Sequence, residues 1–503
     1  MENEEIFQKI EHKLLEQNGL SLSDVELMLG SLQGPEVDFS DVYFEHIIAD
    51  GWSLSEGIVK SGNFYIASGF GVRSVSNEKT AFAFSDSINF PNLKETFYAT
   101  KKIAKLNHDG NVKIGSPLDY KQVCRDINPV AQLSKERKTQ ILKEMDEFVR
   151  GLDSRVTQVS VVISSSYRQR LIVGTDNTYA ADIMPQAIIR CTVQVSDNGK
   201  VEMGSDAFGI ADGFDCMDEL VPILDDSYLE GITDIALINS FEKRYLSIAR
   251  GALRTALRKL KARSMTAGKM PIVLASGWPA VLIHEAVGHG LEADAIRKGA
   301  SIFKDSIGKQ VASDLCTIVD DGTIYGRLGS KSFDSEGTKS QSNVLIKDGV
   351  LCGYMCDKLN AKLLNMKPTG NGRRAGYSYI PIPRMTNTYL MAGKDNPQDI
   401  ISSLDRGVYA VNFSGGQVDT ASGNFTFTAS EAYYVENGKI QYPVKDITLI
   451  GNGQETLKKV TMVGNDLSFD KGIGNCGKEG QFVQVGIGQP TVRVEDVTVG
   501  GTK

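Results

Sequence analysis

Apolar residues recur at helical spacing near the N-terminus, at Ile6, Ile10, Leu14 and Leu15. Spacings of three and four residues place apolar side chains on one face of a helix. We therefore expect helix over roughly the first 35 residues, with a second short helix starting at Leu22. The charged stretch "SKERKTQILKEMDEFVRGLD" has the same periodicity and predicts a further amphipathic helix.

Between and after these helices the apolar pattern changes to alternation. "GIVKSGNFYIASGFGVRSVSNEKTAFAFSD", "RVTQVSVVISSSY" and "QAIIRCTVQVSDNGKVEMG" alternate apolar and polar residues between Gly, Asn and Ser positions. Alternation predicts strands with one buried face, and Asn198-Gly199 favours the type I′ turn of a hairpin. Lys-Asp-Gly and Glu-Asn-Gly-Lys turns predict hairpins in the second half as well. The pattern predicts an α+β fold with largely antiparallel sheets flanked by helices.

A chain of 503 residues is too long for one ordinary hydrophobic core, so we expect two domains or more. The strand pattern breaks at "DGFDCMDELVPILDD", and a long helix is predicted around residues 240–264. We therefore place a boundary near residue 225. Residues 1–225 would form an N-terminal α+β domain, and residues 226–503 a C-terminal domain.

The predicted helix at residues 240–264 carries eight Lys and Arg residues. These could form a nucleic-acid-binding face, or a solvated face opposite an apolar stripe at Leu246, Ala249, Leu253, Ala256 and Leu260. The formal net charge of −7 and the near absence of aromatic residues on this helix favour the second interpretation. We expect no direct binding to nucleic acid.

The composition and the N-terminal sequence predict a cytoplasmic protein. No run of 18 apolar residues is present, and the acidic, amphipathic N-terminus lacks the features of a signal peptide, so no association with a membrane is expected. The cysteines are few, odd in number and scattered, which suits a reducing compartment better than a disulfide framework. They are Cys124, Cys191, Cys216, Cys316, Cys352, Cys356 and Cys476.

Candidate chemistry is concentrated in "VLIHEAVGHGLEAD", which holds two of the five histidines, His284 and His289, with Glu285 after the first. In an H-E-x-x-H zinc site the histidines are about 40° apart around a helix. Here the i, i+5 spacing separates them by about 140° on a regular helix. A π-bulge, which Gly288 and Gly290 would tolerate, would make the two rings converge.

Spacing alone leaves two interpretations open, a metal site or two unrelated histidines on a half-buried helix. A metal site also needs a third protein ligand. Glu292, Asp294 and the seven cysteines are the candidates.

The glycine-rich tail contains a second unusual feature. "GIGNCG" matches G-x-G-x-x-G, but no apolar strand precedes it and no helix is predicted after it, so we reject a dinucleotide site. We interpret it as a tight loop that presents Cys476, a candidate zinc ligand if a cation stabilises its thiolate. The C-x-x-x-C pair Cys352 and Cys356 is interpreted as two core residues.

Four stretches together resemble the TldD-type, catalytic branch of the TldD/PmbA family. They are "LIHEAVGHGLEAD", "GGQVDTASGNFTFTASEAY", "TLIGNGQETLKKVTMVGNDL" and "GNCGKEGQ…VGIGQPTVRV". The similarity covers nearly all of residues 265–503, and the N-terminal half matches only in general pattern.

This resemblance implies a zinc-dependent metallopeptidase of the H-E-x-x-x-H type. His284, His289 and Cys476 would be the zinc ligands and Glu285 the general base. The substrates would be unfolded or extended peptides, bound with low sequence specificity. The resemblance also implies a complex with a related, non-catalytic TldE/PmbA-type subunit, with a homodimer as the other arrangement.

An alternative function is a non-catalytic regulatory or binding subunit that modulates DNA gyrase or a toxin–antitoxin system. A purely binding protein would not need a base beside two ligands, so the intact motif favours the peptidase. A zinc hydrolase of non-peptide substrates is a third possibility. In "PRMTN", Arg384 and Asn387 are predicted as substrate-binding or site-framing residues, and capping of a loop is the other interpretation.

Overall fold

The computed structural model describes residues 2–106, 110–223 and 240–501. The α-helices in these residues are α1 (Glu2–Leu14), α2 (Leu22–Gly30), α3 (Phe90–Ala104), α4 (Pro129–Gln132), α5 (Lys135–Leu152), α6 (Arg244–Lys261), α7 (Val281–Ile283), α8 (Ala293–Lys298), α9 (Lys358–Leu363), α10 (Pro397–Ser402) and α11 (Gly453–Lys458). The predicted helices in the first 35 residues and in "SKERKTQILKEMDEFVRGLD" are present as α1, α2 and α5.

Strands make up most of the rest of the described chain. They are β1 (Phe39–Ser55), β2 (Ile58–Ser76), β3 (Lys79–Ser85), β4 (Val156–Gly174), β5 (Tyr179–Asp197), β6 (Lys200–Ile210), β7 (Leu220–Pro222), β8 (Phe241–Lys243), β9 (Arg263–Ser264), β10 (Gly268–Leu274), β11 (Ile318–Asp321), β12 (Ser342–Lys347), β13 (Val350–Leu351), β14 (Gly372–Arg373), β15 (Ile382–Pro383), β16 (Asn387–Leu390), β17 (Arg406–Asp419), β18 (Asn424–Glu436), β19 (Lys439–Lys445), β20 (Thr448–Asn452), β21 (Val460–Val463), β22 (Ser468–Phe469), β23 (Gly474–Lys478), β24 (Gln481–Gln489) and β25 (Val492–Gly500).

The N-terminal half is a six-stranded antiparallel sheet in the order β3-β2-β1-β4-β5-β6. The predicted turn joins β5 to β6, with positive φ angles of 49° at Asn198 and 79° at Gly199. Apolar side chains on one face of the long strands pack against α1 and α2 at one end of the sheet and against α5 and α6 at the other. The alternation in the sequence is therefore the signature of one helix-covered face.

The opposite face of this sheet contacts the C-terminal half. Tyr43 and Ile172 pack there against Phe333. Arg73 of β2 forms a buried ion pair with Glu336, with 2.7 Å between Nη1 and Oε1. The two halves therefore share an interface that contains buried charges as well as apolar contacts.

The C-terminal half contains two further sheets. In the first, β17-β10-β25-β20-β18 forms a ring that closes because β17 also pairs with β18, and β19, β9 and β21 extend it. The second has the order β13-β12-β11-β16-β24-β22, with β23 paired to β24. Parallel pairs occur at β10–β17, β9–β19 and β16–β24, and the others are antiparallel. The fold is α+β with largely antiparallel sheets, as predicted.

Helix α6 packs against β5 and β6 with the predicted apolar stripe, in which Ala249 and Ala256 are fully buried. Its cations include Arg250, paired with Glu242, and Arg258, paired with Glu431.

The predicted domain boundary near residue 225 lies outside the described residues and stays a prediction. None of the described helices has the length and apolar character needed to cross a membrane.

Candidate metal centre

The histidine stretch forms one turn of π-helix. Helix α7 continues into a π-helical segment at His284–Gly288, and the N–H of His289 donates to the carbonyl of His284. The extra residue in this turn brings the two imidazole rings to a centroid separation of 5.0 Å. The distortion that the i, i+5 spacing requires is therefore present.

The glycines of this turn act through their small size. Gly288 has ordinary helical angles, with φ of −55°, so the tolerance of glycine for unusual backbone angles is not used at this position. A Cβ atom at Gly288 would lie 2.0 Å from Sδ of Met385, and one at Gly290 would lie 2.7 Å from the ring of Phe303. Close packing around the π-turn requires residues without a side chain at these positions.

Cys476 reaches the two histidines from a β-hairpin. It lies on β23 opposite Val483 of β24, and Glu479 and Gly480, both with positive φ, form the turn. The prediction of a tight, open loop around Cys476 is wrong, because its residues pair as strands and Cys476 is only 5% exposed. The strand structure also agrees with the rejection of a dinucleotide site.

The three predicted ligand residues converge on one point. Sγ of Cys476 lies 3.3 Å from Nε2 of His284 and 3.2 Å from Nε2 of His289. The candidate ligand atoms of these residues all lie within 4.8 Å of one another.

The C-x-x-x-C pair lies outside this group. Cys356 is buried as expected, but Cys352 is exposed, so its interpretation as a core residue is wrong.

Glu292 contacts the His/His/Cys group directly, and Asp294 is linked to it through Lys478. Oε2 of Glu292 lies 3.0 Å from Nδ1 of His289, the ring nitrogen that points away from Cys476. Lys478 Nζ donates to Glu292 Oε2 at 2.9 Å and to Asp294 Oδ1 at 2.7 Å. The sequence reasoning missed Lys478. Its position two residues after Cys476, on the same face of a strand, is the signal that could have identified it.

The buried charges set the protonation of these groups. Burial opposes ionisation of Cys476, but the adjacent His284 and His289 lower its pKa to about 4. Burial also opposes charge on His289, whereas Glu292 and Cys476 raise the pKa of His289 well above its usual value. For Glu292, burial is outweighed by His289 and Lys478, which lower its pKa to about 2. The centre thus holds a thiolate and a carboxylate at neutral pH.

Glu285 lies on the accessible side of the group. Its Oε2 is 3.8 Å from Nε2 of His289, and its side chain is 21% exposed, against 12% for the side chain of His289. A carboxylate in this position is within reach of both the ligand atoms and solvent. It can therefore exchange protons with a water molecule that enters the site.

Arg384 and Asn387 are both fully buried. Arg384 donates from Nη2 to the carbonyl of Cys476 at 2.7 Å, which ties the cysteine-bearing strand to the core. Asn387 donates from Nδ2 to the carbonyl of Asp321 at 2.6 Å and to Ser330 Oγ at 2.8 Å. Arg384 thus contacts the cysteine-bearing strand, whereas the contacts of Asn387 are with residues outside the His/His/Cys group. The substrate contact predicted for them stays a prediction.

Fold and site together define an α+β protein with a buried His/His/Cys group on a π-turn and a β-hairpin. Models of the PmbA/TldA metallopeptidase match residues 40–104 as domain 1, residues 128–260 as the central domain and residues 267–501 as the C-terminal domain. The chain belongs to the PmbA/TldD metallopeptidase family.

Similar proteins include two named metalloprotease TldD homolog. The protein from Buchnera aphidicola is 44% identical over 496 residues, covering 99% of both chains. That from Haemophilus influenzae is 46% identical over 496 residues, covering 98% of this chain and 99% of the relative.

Solved structures share the fold. A protein from Thermotoga maritima, described as a proposed modulator of DNA gyrase, has a TM-score of 0.73 and 21% identity over 99% of this chain and all of its own. TldE from Thermococcus kodakarensis has a TM-score of 0.71 and 17% identity over 95% of this chain and all of its own.

Proposed function

We propose that this chain is a zinc-dependent peptidase of the H-E-x-x-x-H type that hydrolyses unfolded or extended peptides with low sequence specificity. The observation that carries the proposal is the convergence of His284 and His289 on Cys476, with Nε2–Sγ distances of 3.3 and 3.2 Å. Catalytic zinc sites have three protein ligands drawn from His, Cys and carboxylate side chains and keep a fourth position open, and two imidazoles with one thiolate supply three such ligands.

The donor set fits zinc in its chemistry and orientation. Zinc binds thiolates and neutral imidazoles, and a pKa of about 4 keeps Cys476 ionised at neutral pH. Because the pKa of His289 is raised, zinc would displace a proton from this ring on binding. Glu292 engages Nδ1 of His289, which leaves Nε2 directed at the sulfur. His284 also directs Nε2 at the sulfur, and its other ring nitrogen, Nδ1, is buried without a hydrogen-bond partner among the described residues. His284, His289 and Cys476 would therefore be the ligands.

Zinc, when bound, supplies a Lewis acid that polarises the scissile carbonyl and lowers the pKa of water. Glu285 would accept the proton of the attacking water and donate it to the nitrogen of the leaving amine. Its partial exposure and its position beside His289 support this role. Lys478 and Glu292 would hold His289 in place while the proton moves.

An extended peptide has a strand edge available near the centre. Strand β17 contacts the π-turn, and beyond Ala410 its recorded pairing in the described chain is with β18 alone. Residues 414–417 of this edge are exposed. Backbone pairing with such an edge selects extended peptides with little regard to sequence.

The test is Glu285→Gln, with Glu147→Gln on the exposed face of α5 as the control. We expect cleavage of an unfolded fluorogenic peptide to fall by about 10²- to 10⁴-fold with Glu285→Gln, with the zinc content unchanged. The control should cleave at the wild-type rate. Equal rates in wild type and Glu285→Gln would contradict the proposed base. If zinc-loaded wild type cleaves no peptide, even in the presence of its partner subunit, the alternative function as a non-catalytic binding subunit would be favoured.

As part of this proposal, the chain works in the cytoplasm in a complex with a related, non-catalytic subunit, or otherwise as a homodimer. The likeness to TldE shows that this fold also occurs in a protein of that name. The seven free cysteines suit a reducing compartment. Light scattering on the chain alone and after co-expression with a related subunit tests the assembly, and cell fractionation tests the location.

A further inference from the structure

A cavity of about 170 Å³ lies between the N-terminal sheet and the C-terminal half. Asn475 of β23 and Gln484 of β24 line it, and these residues alternate with Cys476 along the hairpin. Because successive side chains of a strand point to opposite faces, the cavity and the candidate metal centre lie on opposite faces of this hairpin. Asn475 and Phe482 are exposed and mark its opening.

The lining of the cavity is strongly cationic. Its charged members are Arg168, Arg170, Lys331, Arg373 and Arg374, with Asp334 as the acidic residue. The Asp334 carboxylate accepts hydrogen bonds from the backbone N–H groups of Glu336, Thr338 and Gly372. Its oxygens are therefore occupied by backbone donors, and within the described residues it forms no ion pair with these cations.

Three of the five cations have carboxylate partners outside the cavity, and the pair of Arg374 with Asp41 is the longest of them at 3.7 Å. Arg168 contacts Glu45 at 3.2 Å, and Arg170 forms a buried ion pair with Asp182. Within the described chain, neither Lys331 nor Arg373 forms an ion pair. Lys331 Nζ donates to the carbonyls of Leu328 and Ser330, each at 2.8 Å.

Several buried hydrogen-bond donors in the cavity also have no partner among the described residues. Arg374 is 4% exposed, and its Nε and Nη1 atoms have no partner among the described residues. Its nearest recorded carboxylate oxygen, on Asp41, is 3.7 Å away. Ser332 is 5% exposed, and its Oγ is likewise without a partner. Buried donors and cations without partners are costly, and a group that satisfies them binds favourably.

The pKa of Lys331 reflects the same excess of positive charge. Burial, followed by the nearby Arg373 and Arg170, lowers the pKa of Lys331 well below its usual value. An anion placed among these residues would oppose that effect.

We propose that this cavity binds an oxyanion, either a carboxylate or a phosphate group. Arginine presents a planar set of donors that matches carboxylate and phosphate oxygens, and Lys331 adds a compact positive charge. The volume accommodates such a group together with the last atoms of a chain that carries it. The site is separate from the proposed zinc ligands, and its occupation does not depend on peptide hydrolysis.

The experiment measures thermal unfolding of the whole chain in sodium phosphate and in sodium chloride at equal ionic strength. Phosphate also stabilises proteins without a site, because it is excluded from their surfaces. We therefore compare wild type with Lys331→Met and Ser332→Ala, and use the exposed Lys347→Met as the control. In wild type and control, we expect a saturable rise in Tm of about 2 °C or more. It should be smaller in Ser332→Ala and absent in Lys331→Met.

A second arm identifies the source of the oxyanion with penta-alanine as the free acid and as the C-terminal amide, in the Glu285→Gln background to prevent cleavage. Stabilisation by the acid alone, lost with Lys331→Met, assigns the cavity to a peptide carboxylate. Stabilisation by phosphate alone assigns it to a small anion. If neither ligand produces a rise in Tm that depends on Lys331, the proposal is wrong. The proposed zinc site would be unaffected by that result.

Discussion

The two faces of the β23–β24 hairpin carry buried polar clusters that differ in charge balance. On the face of Cys476, Lys478 is held by Glu292 and Asp294 at 2.9 and 2.7 Å. On the other face, Lys331 has only backbone carbonyls as recorded partners. Matched charges fix the orientation of groups, whereas unmatched charges favour an additional ligand. We therefore expect a lysine to stabilise the fold in the first cluster and to destabilise it in the second.

The largest expected change in stability follows from breaking the balanced cluster. Lys478→Met leaves two buried carboxylates with less compensation, and we expect a loss of about 3 kcal/mol or more in the free energy of unfolding. Urea unfolding of the metal-free protein measures it. Lys298→Met, which removes an exposed and long ion pair with Glu479, is the control and should cost under about 1 kcal/mol. Equal effects of the two substitutions would show that the cluster around Lys478 is not balanced as described.

The pH dependence of the same cluster follows from the pKa of Glu292, which lies at about 2 instead of 4.5. A carboxyl with a lowered pKa in the folded state stabilises the fold above its unfolded pKa, and this contribution is lost as the pH falls through the folded pKa. The difference in unfolding free energy between metal-free wild type and Glu292→Gln should therefore shrink by about 2 kcal/mol between about pH 6 and about pH 3. A difference that is constant with pH would contradict the lowered pKa.

Glu292 should also influence the metal. Because it engages Nδ1 of His289, Glu292→Gln is expected to weaken zinc binding by about 10- to 100-fold, measured by competition with a chromogenic chelator. Asp294→Asn is the matched control, since Asp294 contacts Lys478 and has no recorded contact with His289. If both variants weaken binding equally, Glu292 does not act through the His289 ring.

The smallest expected effect has the opposite sign. Lys331→Met replaces a cation that has no ion pair in the described chain, and we expect the free energy of unfolding to rise by about 1 kcal/mol in chloride buffer. Urea unfolding beside Lys478→Met gives the comparison directly. A loss of stability in both variants would mean that the charge of Lys331 is compensated in the folded protein.

Local features of the fold were predictable from the sequence. Helices α1, α2 and α5 follow from apolar spacing, and the turn at Asn198-Gly199 follows from the positive φ angles that these residues accept. The closed ring of β17-β10-β25-β20-β18 was not predictable, because its pairs join strands far apart in the chain. Such pairings depend on side-chain packing that no short window of sequence contains.

The candidate site was also predictable only in part. His284, Glu285 and His289 lie close together in the sequence, so their spacing showed that a metal site would require a π-turn, but it left two unrelated histidines as the other interpretation. Cys476 was identified from its glycine neighbours and the family resemblance, yet its strand was mistaken for a loop. The cationic cavity was missed entirely, because its residues come from segments that meet only across the interface between the two halves.

The most direct test of the central claim, that His284, His289 and Cys476 together hold one zinc ion, is the zinc content of purified protein by mass spectrometry. Wild type should be compared with His284→Ala, His289→Ala and Cys476→Ala, and with the exposed Cys352→Ala as the control. The account predicts about one zinc per chain in wild type and control, and loss of zinc in the three other variants. Full retention of zinc in Cys476→Ala, or no zinc in wild type after supplementation, would contradict it.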